Sequence, residues 1–227
     1  MKWRAALGVA FKDLFFPPRC AGCDGLVEAP GFCGPCGREL RSGMQQEVRG
    51  HGSAKVCLAY AGPVRRALVR MKFHRDPAPA EALAQVVVDC ALAECARLRV
   101  DAVVAMPLSL GRWWWRGFNQ SEILVRPLAR ALGRPLLRGH LRRRHRPPQA
   151  GLSARQRARN VEHAFHAADL HGRAVLLFDD VLTTGATLSA AATALQRGGA
   201  RRVELLVLAA APVPGADENW RVASERV

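Results

Sequence analysis

The stretch Val175–Thr187, reading Val-Leu-Leu-Phe-Asp-Asp-Val-Leu-Thr-Thr-Gly-Ala-Thr, limits the possible folds of this chain more than any other. Its first four residues are bulky and apolar without alternation, which suits a strand buried on both faces of a parallel sheet. Two acids, Asp179 and Asp180, stand at the carboxyl end of that run. Three threonines and a glycine follow, and a helical pattern begins near Leu188. In open α/β sheets ligands bind outside the carboxyl ends of strands, and a loop feeding a helix N-terminus suits phosphate. Gly185 lets the backbone come close, while the amides and hydroxyls of Thr183, Thr184 and Thr187 can surround an anion. The carboxylates would repel a bare phosphate; they suit a ligand that also carries sugar hydroxyls or a divalent cation. An ordinary strand-to-helix turn with solvated acids is the plainer alternative. The contiguous order of strand, paired acids and threonine-rich loop argues against it.

A chain of 227 residues has room for one α/β domain and a small attached module. Its formal charge of +15 is concentrated: from Arg112 to Arg159 arginines recur throughout, and Glu122 is the only acid. Such a field attracts pyrophosphate, nucleotides or nucleic acid; compositional bias toward arginine explains some of it. Seven cysteines, an odd number, argue against a complete disulfide framework. Met1–Phe16 lacks a signal-type apolar core, and no segment approaches the length that spans a bilayer. The expected setting is the cytoplasm. Trp3, Leu7, Phe11, Phe15 and Phe16 form a helix face expected to pack against the rest of the protein.

Cys20-x-x-Cys23 and Cys33-x-x-Cys36 are two knuckles separated by nine residues. Each pair puts two thiolates on one side of a tight turn, and two pairs complete a tetrahedral zinc site. So short a segment has little core of its own, and metal binding would supply its folding energy. Four thiolates leave no open position, so this zinc is read as structural; a redox role for one pair is the rival reading. Residues 1–50 are assigned to an N-terminal helix and zinc module with its linker, centred on the polar Arg41–Ser53, and residues 51–227 to the larger domain. Cys57, Cys90 and Cys95 lack ligand spacing and are expected as small buried residues, and His51 as a linker histidine.

In the larger domain Ala54–Tyr60 reads as a strand, and Pro63 opens a helix that ends in Met71-Lys72-Phe73-His74-Arg75. A second helix runs over about Glu81–Arg97, and Ala102–Met106 is a second candidate for a buried parallel strand. The loop after it carries Arg112, Trp113–Trp115, Arg116, Gly117, Asn119, Gln120 and Ser121. Two arginines after a parallel strand make a natural second anion site, and Asn119 or Ser121 caps the helix Glu122–Leu132. Three adjacent indoles cannot all enter one core: one would either stack on a nucleic-acid base or mark a subunit contact in a homodimer. Leu136–Leu141 reads as a short strand, Arg142–Pro148 as an exposed loop, and Ser153–His163 as a helix. His163 and His166 are at helical metal spacing without a third ligand and read as surface residues. Arg173–Asp180, Leu188–Arg197 and Val203–Ala210 complete the alternation as strand, helix and strand, with Pro212–Val227 as a polar tail. The alternating order predicts an α/β fold, a mostly parallel sheet with helices on both faces.

Val175–Thr187 resembles the phosphoribosyl pyrophosphate signature of type I phosphoribosyltransferases. Several further stretches look like the ComF family: Tyr60…Met71-Lys72-Phe73, the Arg112…Arg116-Gly117-Phe118-Asn119-Gln120 loop, Gln149…Leu152-Ser153-Ala154-Arg155…Arg159-Asn160, and the N-terminal cysteines. The resemblance covers nearly the whole chain in family order. It implies a cytoplasmic, phosphoribosyltransferase-like protein associated with DNA uptake in natural competence. The acids Asp179 and Asp180 would face the ribose hydroxyls and, indirectly, magnesium. Residues Thr183, Thr184, Gly185, Ala186 and Thr187 would hold the 5′-phosphate, while Arg112, Arg116 and Lys72 neutralise the departing pyrophosphate. The basic run before Pro147 falls where that enzyme class often has a lid. Two departures stand out. Ala186 replaces a common hydroxyl residue, and Thr183 stands where hypoxanthine-type relatives carry a third carboxylate, which disfavours acceptors that need a base. The reading is therefore a transferase with an unknown acceptor. The alternative is a non-catalytic adaptor that binds single-stranded DNA or a nucleotide and docks on a competence helicase or motor.

Overall fold

The computed structural model describes residues 17–42, 45–143, 164–211 and 221–222. Four parallel strands form the centre: β3 (Ser53–Ala59), β4 (Ala102–Ala105), β7 (Ala174–Leu182) and β8 (Arg202–Ala210), in the order β4-β7-β8-β3. Antiparallel strands close the β3 edge. β1 (Arg41–Ser42) and β2 (Gln45–Glu47) both pair with β3, and β9 (Arg221–Val222) pairs with β1. A separate hairpin joins β5 (Leu141–Arg143) to β6 (Phe165–Ala167).

The apolar run of β7 has two buried faces because successive side chains alternate across a sheet. Leu176 and Phe178 enter one core with α2 (Gly62–Phe73), α3 (Ala80–Arg97) and α5 (Gln120–Ala131). Val175 and Leu177 enter the other with α6 (Ala186–Arg197) and the β5–β6 hairpin. α5, between β4 and β7 in the chain, and α6, after β7, thus lie on opposite faces. Adjacent strands whose following segments part in this way leave a crevice at their carboxyl ends. β4 stops at Ala105, opposite Phe178, whereas β7 continues to Leu182. The last residues of β7, the two acids among them, therefore have no strand on that side.

The cysteine module sits on α2. Cys33 takes the N-cap position of the short helix α1 (Gly34–Glu39). Arg66 Nε donates to Gly22 O at 2.9 Å, and Arg70 pairs with Asp24 at 2.7 Å while also holding Asp76. A Cβ on Gly22 would stand 2.6 Å from Pro63 Cβ, so glycine is what lets the knuckle lie flat on the helix start.

The structure departs from the sequence-based expectations at several points. Arg41–Ser53 is not a bare linker: its polar residues form the edge strands β1 and β2, where a solvated face suits them. Leu136–Leu141 is not a strand; Leu136 makes one bridge to Val103, Gly139 turns at φ 73°, and pairing begins at Leu141. The loop after β4 contains a helix, α4 (Leu110–Arg116), closed by Gly117 at φ 80°. Part of the expected tail returns as β9. The predicted helix face of Met1–Phe16, the basic run beyond Arg143 and the Ser153–His163 helix lie outside the described residues, as does Gln149–Asn160.

Candidate functional site

At the carboxyl ends of β4 and β7 lies a cavity of about 500 Å³. Its lining includes Lys72 from α2, Arg112 and Arg116 from α4, Asp179 and Asp180 from β7, and Thr183, Thr184, Gly185 and Thr187 from the following loop. Residues as far apart in sequence as Lys72 and Thr187 are thus brought to one place, and of the residues expected to hold the phosphorylated ligand only Ala186 is outside the lining.

Asp180 belongs to the same face of β7 as Phe178 and is buried. Lys72 Nζ, near the end of α2, donates to its Oδ1 at 3.0 Å and lies 2.9 Å from Oδ2. Oδ2 is therefore paired by charge but has no directed hydrogen bond. Such an orphaned oxygen, on a residue that lines a polar cavity, fits a ligand hydroxyl or a hydrated cation once Lys72 turns aside. Arg116 is 7% exposed; its Nε donates to the Lys72 carbonyl at 3.1 Å and its Nη1 to Gln120 Oε1 at 2.5 Å. Burial lowers its affinity for the proton, and the Asp180 carboxylate opposes that fall. Arg116 thus fixes α4 to the end of α2 as well as lining the cavity.

Asp179 faces the other way and is half-buried. Its Oδ1 accepts the Asp180 amide at 2.8 Å and the Ser121 hydroxyl at 3.4 Å. Burial, with repulsion from Asp180 added, pushes its pKa up to about 7, against the pull of Lys72 and the hydrogen bonds. Asn119 caps α5: its Oδ1 accepts from Ser121 N at 3.2 Å and its Nδ2 donates to Met106 O at 3.0 Å, holding the helix start to the end of β4. Ser121, named in the sequence only as a cap, is the residue that reaches Asp179.

Between β7 and α6 the chain turns through Gly185 at φ 75°, the α6 N-cap position. Only glycine adopts that conformation without strain. Thr183, Thr184 and Ala186 are exposed, and the free amides of the first helical turn with the threonine hydroxyls make a concave donor surface. The Ala186 amide lies 3.5 Å from Thr184 Oγ1.

The sequence places Arg143 only in an exposed basic loop. In the structure it lies on β5, lines the cavity, and stacks 5.5 Å from the Phe165 ring centroid. Burial and the Arg112 charge weaken its hold on the proton, while Asp179 opposes. Its place depends on pairing with β6, a contact with no local signal. Tyr60 and Phe73 also line the cavity.

The four cysteines Cys20, Cys23, Cys33 and Cys36 have sulfurs all within 4.8 Å of one another. Cys23 Sγ and Cys33 Sγ are 3.7 Å apart, about the edge of a tetrahedron with metal–sulfur bonds of about 2.3 Å. Burial and the neighbouring thiols push Cys36 up to about 12, and a central cation is the counter-charge that lets all four ionise. The donor set can hold a metal ion. Among the other cysteines, Cys57 and Cys95 are buried and Cys90 is half-buried.

A parallel sheet with an acid-and-threonine loop at its carboxyl edge is the frame of a phosphoribosyltransferase domain. The phosphoribosyl transferase domain family matches residues 119–222. The chain is 31% identical over 207 residues to Competence protein F of Haemophilus influenzae, which covers 85% of this chain and 90% of that protein. It is 36% identical over 158 residues to DNA utilization protein YhgH of Escherichia coli K12, covering 66% of this chain and 68% of the relative. Orotate phosphoribosyltransferase from Aeropyrum pernix, a solved structure, is similar over 76% of this chain and 77% of its own at 16% identity and TM-score 0.34. The chain belongs to the ComF family, with a phosphoribosyltransferase-like domain and an N-terminal cysteine cluster that resembles a zinc module. Among the described residues no helix is long and apolar enough to cross a membrane.

Proposed function

We propose that the cavity binds phosphoribosyl pyrophosphate with magnesium, and that the protein is a phosphoribosyltransferase acting in the cytoplasmic handling of DNA. One observation carries this reading most strongly. Two adjacent acids, one with a buried oxygen lacking a hydrogen bond, share a cavity with a helix-start threonine loop and three guanidinium groups.

In this reading Thr183, Thr184, Thr187 and the amides beside Gly185 take the 5′-phosphate. Asp179 and Asp180 accept from the ribose hydroxyls, and Arg112 meets the pyrophosphate, with Lys72 turning to it from Asp180. Magnesium supplies charge neutralisation on the pyrophosphate oxygens when bound. The acceptor nitrogen gives its lone pair to C1′ as the C1′–O bond breaks, and that bond's electron pair leaves on pyrophosphate. Catalysis would rest on holding this developing negative charge among fixed cations. Apart from Asp179 and Asp180, no carboxylate or histidine lines the cavity among the described residues. An acceptor that is nucleophilic without deprotonation is therefore favoured.

The cysteine cluster is assigned one structural zinc. The link to DNA uptake rests on the relatives' names and on the charge of +15. The test is pyrophosphate release across a panel of ammonia, amine and pyridine-type ring-nitrogen acceptors. Release by the wild type, lost in Asp179→Asn/Asp180→Asn, supports the transferase, and undiminished release in that double variant refutes it. In a naturally transformable host, normal transformation by the double variant would separate the enzyme from DNA uptake.

A further inference from the structure

The helix α4 is inside out. Its one buried residue is Arg116, at 7% exposure, whereas Leu110, Trp113, Trp114 and Trp115 are 61%, 48%, 77% and 50% exposed. Consecutive helical residues are about 100° apart, so the indoles spread around the open side, and Trp113 and Trp114 meet edge to face at 5.8 Å between centroids. Phe73, 62% exposed at the end of α2, adds a further ring at the cavity wall. Exposed apolar area of this extent marks a contact surface.

The charges around it restrict what makes the contact. No acid occurs between Met106 and Ser121. Arg112 lies on α4 itself and lines the cavity. Arg75 Nη2 comes within 3.9 Å of where a Cβ on Gly117 would stand, at the end of α4. Neither arginine has an ion-pair partner among the described residues. A second copy docking here in a two-fold contact would set these arginines against their own images on chains that each carry +15. A polyanion with flat, apolar faces is complementary to both features.

We propose that α4 is a stacking platform for single-stranded nucleic acid, with bases on Trp113–Trp115 and backbone phosphates at Arg112 and Arg75. This rests on the DNA-handling part of the proposed function and deepens it; the indoles take no part in the transferase reading, and Arg112 alone is assigned to both. The platform adjoins the cavity, and Arg112 and Phe73 belong to both. A strand lying on α4 therefore has one end at the cavity mouth. Duplex DNA, whose bases are already stacked, would engage only the arginines.

The test uses the full chain and fluorescein-labelled oligothymidylate of about 20 nucleotides, a length that covers one such platform, read by anisotropy. Trp114→Ala should weaken binding by about tenfold or more, and Trp114→Phe, which keeps an aromatic face, should recover most of it. Binding should weaken steeply with salt, less steeply in Arg112→Ala, and duplex should compete poorly. Trp114 is exposed, so the alanine variant should melt with the wild type. Three results would overturn the proposal: unchanged affinity in Trp113→Ala/Trp114→Ala, a dimer that sediments as such and is broken by Trp114→Ala, or a lowered melting temperature in Trp114→Ala. The second means that another copy covers α4, and the third that another part of this chain does. Calorimetry of Trp114→Ala with phosphoribosyl pyrophosphate and magnesium reads the cavity separately, so either site can fail without the other.

Discussion

Replacing Asp179 by asparagine should make the ligand-free protein more stable while removing its ligand. Burial and the adjacent Asp180 raise the Asp179 pKa from an ordinary 3.8 to about 7. A rise of that size corresponds to about 4 kcal/mol in favour of the neutral carboxyl. Water on the open side of the cavity screens much of this, leaving an expected effect of about 1–2 kcal/mol. The folded state holds the proton more tightly than the unfolded chain does. Stability is therefore lost as pH rises from the unfolded carboxyl's pKa, about 4, to about 7, and is level above that. Asparagine keeps an oxygen for the Ser121 hydroxyl and the Asp180 amide but carries no charge. Its melting temperature at pH 8 should exceed the wild type's by about 2–8 °C, given about 2–4 °C per kcal/mol for chains of this size. The gain should shrink progressively toward pH 4. Calorimetric scans from pH 4 to pH 8 measure it. A variant that melts lower at pH 8, or a gain independent of pH, would refute the claim that Asp179 is held at an electrostatic cost.

Two glycines give further tests. A methyl group on Gly22 would stand 2.6 Å from Pro63 Cβ and 3.0 Å from Cys36 Sγ, so Gly22→Ala should cost about 1–3 kcal/mol and reduce zinc retained per chain, against about one zinc in the wild type; unchanged metal content and melting would contradict the docking of the knuckle on α2. At Gly185 the nearest contact for a Cβ is an ordinary 3.7 Å, and the restriction is φ 75°. Gly185→Ala should cost about 1–2 kcal/mol and Gly185→Asn less, because asparagine tolerates the left-handed region; equal melting of the two variants would show that backbone strain is not the cause.

Local chemistry made much of this chain legible. Val175–Phe178 announced a strand with two buried faces, because an unbroken apolar run suits a strand covered on both sides. The four cysteines announced their cluster through spacing alone, and the acids and threonines at Asp179–Thr187 fell together because they are contiguous. What stayed hidden depends on partners far away in sequence. Lys72 meets Asp180 across 108 residues, and the pair changes Lys72 from a free cation into one that Asp180 already holds. Arg143 reaches the cavity only through the β5–β6 pairing. Arg41–Ser42 and Gln45–Glu47 are too polar to signal strands, and pairing with the edge of β3 gives them that form. The tryptophans gave no warning of a helix with its arginine inside, because that inversion follows from the Lys72 carbonyl and Gln120, which no helical pattern contains.

The proposed ligand of the cavity is phosphoribosyl pyrophosphate carried with magnesium. Titration calorimetry of the full chain with that ligand, with and without magnesium, tests it most directly. The expected result is one site per chain whose heat requires magnesium and disappears in Asp179→Asn/Asp180→Asn while the variant stays folded. Binding of equal strength in that double variant, or no heat in the wild type with magnesium present, would contradict it.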